Sequence, residues 1–176
     1  MATTRLARRT LAMLAAIATI CGAQGGATAG DRSGFELEFR SRPGEYFGHD
    51  YVIARRLAAS GKWVAERRAG LQPEPGASIG DTLMGVRGVV GLVREDWEIA
   101  PDERYTVRVS RAQYIRALTQ IDRNARRHPT YDLFDQNCNS FVGVVARSAG
   151  ILVPSDTFVL PAEYVRGIRE LNAGRR

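Results

Sequence analysis

Apolar and polar positions alternate near the front of the chain and recur at helical spacing toward its end. Phe35, Leu37 and Phe39 alternate with Glu36, Glu38 and Arg40, the period of two expected of a half-buried strand. Arg42-Pro43-Gly44-Glu45 carries turn chemistry. A second extended run covers Tyr46 to Leu57, and Ser60-Gly61 turns the chain into a third from Lys62 to Arg68. These runs predict an antiparallel meander. Between Gly70 and Gly88, Pro73, Pro75 and several glycines erase any period, which predicts a long loop over one end of the sheet. Val89 to Val93 and Arg104 to Val109 read as further strands.

The second half changes period. Ser110 can cap a helix in which Tyr114, Ile115, Leu118, Ile121 and Ala125 fall three or four apart on one face, and His128-Pro129 stops it. A second helix starts around Asn137 to Asn139 and runs to about Ala149, with Phe141, Val142, Val145 and Ala149 as its apolar stripe. Gly150 and Pro154 end it, and Pro161 to Leu171 forms a last short helix. Strands first and helices afterwards predict an α+β fold, an antiparallel sheet with helices packed against it.

The first 29 residues read differently. Arg5, Arg8 and Arg9 precede an apolar run from Leu11 to Ile20 and then small residues, the layout of a secretory signal peptide cut after Ala27-Thr28-Ala29. The run is too short to span a bilayer permanently. Residues 30–176 are then one periplasmic or secreted domain, expected as a monomer with no membrane span. The leader's three arginines leave 22 basic against 19 acidic residues, a balance of +3 in place of +6. That surplus, scattered in arginine pairs, excludes a nucleic-acid stripe as the organising feature.

Loss of Cys21 with the leader leaves Cys138 as the sole thiol in a chain bound for an oxidising compartment. It is a passenger, an intermolecular bridge or a nucleophile. Its setting favours the last, because Asp135-Gln136-Asn137-Cys138-Asn139-Ser140 places it where a helix begins. Unpaired N–H groups and the positive end of the helix dipole there favour a thiolate and can hold an oxyanion. Gln136, Asn137 and Asn139 form a polar collar able to orient a carbonyl substrate. A thiol nucleophile works best beside an imidazole. His128 ends a basic helix, whereas His49 follows Gly48 in a strand-forming run, where glycine lets a second chain or a substrate approach.

Gly48-His49 on an early strand, followed much later by Asn137-Cys138-Asn139-Ser140-Phe141-Val142 opening a helix, resembles the circularly permuted branch of the NlpC/P60 papain-like superfamily. Relatives in that branch include lecithin:retinol acyltransferase-like proteins and PPPDE-type peptidases. The resemblance implies a catalytic Cys138, a base at His49 and a sheet that presents one to the other. Its members also orient the base with a further polar residue on a neighbouring strand, often a second His, whereas here no His follows His49 until His128. Glu66, Tyr51 and Asp50 are the candidates, and strand alternation puts Tyr51 rather than Asp50 on the face of His49.

One Cys and two His do not make a zinc site without further ligands, and Gly85-Val86-Arg87-Gly88 lacks the Lys-Ser/Thr of a phosphate loop, so neither a metal nor a cofactor is expected. The expected function is that of an exported cysteine hydrolase or acyltransferase, acting first on a peptide amide of peptidoglycan and second on an ester or acyl lipid. The rival expectation is a catalytically silent module of the same fold that binds cell-wall or lipid ligands.

Overall fold

The computed structural model describes residues 34–174, so the expected signal peptide lies outside the described residues. Six strands form one open antiparallel sheet: β1 (Gly34–Arg42), β2 (His49–Leu57), β3 (Trp63–Pro73), β4 (Val86–Gly91), β5 (Glu103–Val109) and β6 (Thr130–Tyr131), in the order β5-β1-β2-β3-β4-β6. Among the described residues there are five helices: α1 (Ile79–Met84), α2 (Glu95–Glu98), α3 (Arg111–Arg127), α4 (Cys138–Ser148) and α5 (Pro161–Leu171). The fold is α+β, as the order of strand and helix patterns predicts. None of these helices is long and apolar enough to cross a membrane.

The core lies between one face of the sheet and the three longer helices. Leu37 and Phe39 of β1, Val52 and Ala54 of β2, and Ala69 and Leu71 of β3 meet Tyr114, Ala117 and Ile121 of α3, Phe141, Val142 and Val145 of α4, and Tyr164, Val165 and Ile168 of α5. Each such large apolar side chain contributes about 1.5–3 kcal/mol by leaving water. The α4 stripe is the one its spacing predicts. In α3 the predicted face is rotated, with Ala117 buried and Ile115 half-exposed.

The opposite face of the sheet is charged but not bare. Arg55 of β2 pairs with Glu38 of β1 and, at 2.8 Å, with Glu66 of β3; Arg40 and Arg68 extend the chain of ion pairs. Trp63 and Trp97 lie against the guanidiniums of Arg55 and Arg68 at 4.0 and 3.6 Å. Ile53 and Tyr51 are buried on this face, which leaves β2 covered on both sides.

The long loop expected from Gly70 to Gly88 is corrected. β3 continues to Pro73, and its partner β4 begins at Val86. Between them Ser78 caps α1 in a reciprocal box with Asp81, so the prolines and glycines punctuate short elements rather than abolish them.

Candidate functional site

Cys138 occupies the first turn of α4. Asn137 caps that helix by accepting the N–H of Ser140 at 2.9 Å, while the Ser140 hydroxyl accepts the N–H of Asn137 at 3.0 Å. The Nδ2 of Asn137 donates to the carbonyls of Leu133 (3.0 Å) and Thr157 (3.1 Å), and that of Asn139 donates to Thr157 (3.0 Å) and Val159 (2.8 Å). Two amides thereby tie the helix start to the 157–159 segment. Just before it, Asp132 accepts the N–H groups of Phe134, Asp135 and Gln136, winding the approach into a tight turn.

These ties shape a cavity of about 350 Å³, walled by Phe47, Tyr131, Leu133, Phe158 and Leu160, with Cys138 and Asn139 on its polar side. Phe134 and Phe158, both half-exposed, pack at 5.3 Å between ring centres. Gln136, expected in the collar, is exposed and opens onto a separate hollow with Ser140 and Phe141. The Oδ1 of Asn139 is buried without a partner.

The side chain that reaches the thiol is Asp50. It is fully buried, and neither carboxyl oxygen has a hydrogen-bond partner. Its polar neighbour is the sulfur of Cys138, and the backbone N–H groups of Asp50 and Asn139 lie near enough to that sulfur to favour its thiolate. Burial drives the Asp50 carboxyl up to about 8, an effect the thiol only partly offsets. Tyr131 and Tyr164 border the pair, and burial followed by neighbouring negative charge raises the Tyr131 phenol.

The lowered thiol pKa expected from a helix start is corrected. Burial, then the negative charge of Asp50, pushes Cys138 well above its ordinary range, and the two N–H groups directed at the sulfur recover only part of this.

His49, Tyr51 and Glu66 lie elsewhere. Successive strand residues face opposite ways, so with Asp50, Val52 and Ala54 turned toward the helices, His49 and Tyr51 turn to the charged face. There the His49 ring stacks on Tyr51 at 6.2 Å, with Nε2 3.9 Å from Asp96 of α2. It packs over Gly70, where an added Cβ would fall 2.5 Å from Nε2. Arg42 donates to Asp96 at 2.6 Å and the Tyr51 hydroxyl to the Asp96 carbonyl at 3.0 Å, so this cluster latches α2 onto the sheet. Burial lowers the His49 pKa to about 4, with Arg42 adding to the effect and Asp96 opposing it. Glu66 is held by Arg55 and Arg68 on the same face. Tyr51 does share the face of His49, as alternation predicts, but that face is not the one on which the thiol sits.

Asp50 is the site residue that sequence reasoning underrated. The signal that would have found it, strand parity, is erased because β2 is buried on both faces. Among the described residues no group of three or more His, Cys, Asp and Glu side chains could hold a metal ion. Comparison of the chain with protein-family models, with curated proteins and with solved structures returns no match.

Proposed function

We propose that this chain is an exported, permuted papain-like thiol enzyme in which Cys138 attacks a carbonyl carbon. The observation that carries the reading is the placement of the only thiol among the described residues in the first turn of α4, on the floor of a cavity and beside a buried carboxyl. In the attack the sulfur bonds to the carbonyl carbon and the carbonyl π pair moves to oxygen. The helix leaves the backbone N–H of Cys138 without an intrahelical acceptor, which suits it to stabilise that oxygen. The expelled amine or alcohol departs with a proton, and water then hydrolyses the thioester. The apolar walls formed by Phe47, Leu133, Phe158 and Leu160 support a substrate with an acyl chain or apolar side chain next to the reacting carbonyl. A peptide amide of peptidoglycan and an acyl ester are the two substrate classes in view.

The test incubates the protein with p-nitrophenyl acyl esters and, separately, with soluble peptidoglycan fragments. The expected result is release of product together with an acyl adduct on the Cys138 peptide by mass spectrometry. Cys138→Ser is expected to lower turnover by roughly a hundredfold or more. One observation favours a second reading, a binding module without catalysis: the thiol is buried and raised, with no imidazole on its face of the sheet. Ligand retained at equilibrium with neither adduct nor turnover would select that reading and reject the enzyme.

A further inference from the structure

We infer that Asp50 is the catalytic partner of Cys138, taking the thiol proton as the sulfur attacks and delivering it to the leaving group. The inference rests on the thiol-enzyme reading and supplies what that reading lacks on the inner face of the sheet, a proton acceptor. Three observations carry it. Asp50 is wholly buried with neither carboxyl oxygen hydrogen-bonded, an expensive arrangement for a group with only a packing role. The strand that carries it packs against the helix that carries the thiol, and carboxyl and sulfur are near enough for each to alter the other's proton affinity. Two residues before it, Gly48 lines the cavity that Cys138 also lines, so the thiol sits where a carbonyl can enter with Asp50 behind it.

The surroundings leave the proton with the pair. On β1, Ser41 lies opposite Asp50 in register and gives its hydroxyl to Asp102. On β3, Leu71 is apolar and belongs to the core. Tyr131 of β6 and Tyr164 of α5 keep their phenolic protons at neutral pH, each raised chiefly by burial, and Arg147 of α4 acts on Tyr164. No cation among the described residues offsets the burial of the carboxyl. In the forward step the S–H proton passes to the Asp50 carboxylate, the S–C bond forms, and the carbonyl π pair moves to oxygen. As the tetrahedral species collapses, Asp50 gives that proton to the departing nitrogen or oxygen. Water then attacks the thioester, its proton passes to Asp50, and the proton returns to the sulfur as the acid leaves. The reactive state is the pair holding one proton. Because burial raises Asp50 to about 8, that state is reached as pH rises toward this value.

The test follows iodoacetamide alkylation of the full chain from pH 5 to 10 and reads only the Cys138 peptide by mass spectrometry. In the wild-type protein the rate is expected to rise with a one-proton inflection near 8. Asp50→Asn is expected to remove the inflection and slow alkylation at neutral pH roughly a hundredfold, the low end of what a positioned proton acceptor contributes. Asp50→Glu is expected to keep the inflection, and His49→Gln to leave the profile unmoved. The opposite sign overturns the inference: if Asp50→Asn speeds alkylation at neutral pH, the carboxylate only opposes the thiolate. A wild-type profile without the inflection, or one abolished by His49→Gln, overturns it as well, so the result does not depend on any single variant folding. Ester turnover that is absent while the Asp50-dependent inflection persists would reject the enzyme reading and leave the proton relay standing.

Discussion

His49 and Asp50 are adjacent residues buried on opposite faces of one sheet, and their effects on stability oppose each other. The folded protein keeps a proton on Asp50 that the unfolded chain releases, because the carboxyl moves from an ordinary 3.8 to about 8. That contribution is complete below about pH 4 and is lost as pH rises through 8. The folded protein refuses a proton on His49 that the unfolded chain takes up, since the imidazole falls from 6.5 to about 4. This second contribution is present above 6.5 and lost as pH falls through 4. Between about 4 and 6.5 the two slopes cancel. From about 6.5 to 8 only Asp50 acts, and stability declines by about 1.4 kcal/mol per pH unit. Urea denaturation across this range is expected to give a level wild-type profile and then a fall. Asp50→Asn should rise from 4 to 6.5 and then stay level, while His49→Gln should fall throughout; parallel wild-type and Asp50→Asn profiles would refute the buried-carboxyl account. At this scale the position of Cys138 was legible, because polar residues mark where a helix starts. The identity of its partner was not, because an apolar run such as Tyr51-Val52-Ile53-Ala54 shows no alternation from which to assign faces.

Helix α4 shows how an element holds a site. Its start is fixed by the Asn137–Ser140 box and the two amides reaching the 157–159 segment. Its middle is fixed by close approach to α5, where the Tyr164 hydroxyl lies over Gly143. A methyl group there would overlap the hydroxyl oxygen. Gly143→Ala is therefore expected to destabilise the protein by about 1–3 kcal/mol despite its better helix propensity. Tyr164→Phe in the same background should recover much of that loss, measured by chemical denaturation; a Gly143→Ala variant as stable as wild type would show that the two helices part easily. The boundaries of α4 were readable from the capping residues and Gly150. Helix α1 was missed although Ser78 and Asp81 carry a capping signature, because it spans only six residues and buries none.

Across the whole molecule, the three central strands are tied together by Arg55, whose guanidinium meets Glu38 and Glu66 from the neighbours on either side. Burial alone would raise Glu38, but the hydrogen bonds and charges of Arg40 and Arg55 hold it below its ordinary value. Arg55→Met leaves that carboxylate with Arg40 as its remaining cation and is expected to cost about 1.5–3 kcal/mol, with Glu38→Gln restoring part of it in the double variant. A loss under about 1 kcal/mol in denaturant titration would mean that the network is solvated and dispensable. The fold class followed from strand patterns preceding helical ones. The strand order did not, since β5 joins β1 and β6 joins β4 through pairings between residues far apart in the chain.

The side chains of β2 change faces at every step, and its pairing with β1 and β3 fixes which step each residue occupies. Transposing the two letters at 49 and 50 would leave length, composition and net charge untouched. It would nonetheless hand the sulfur an imidazole and send the carboxyl to the far side of the sheet. The chemical character of this pocket is therefore written in the order of two neighbours, a property invisible to any tally of residue types.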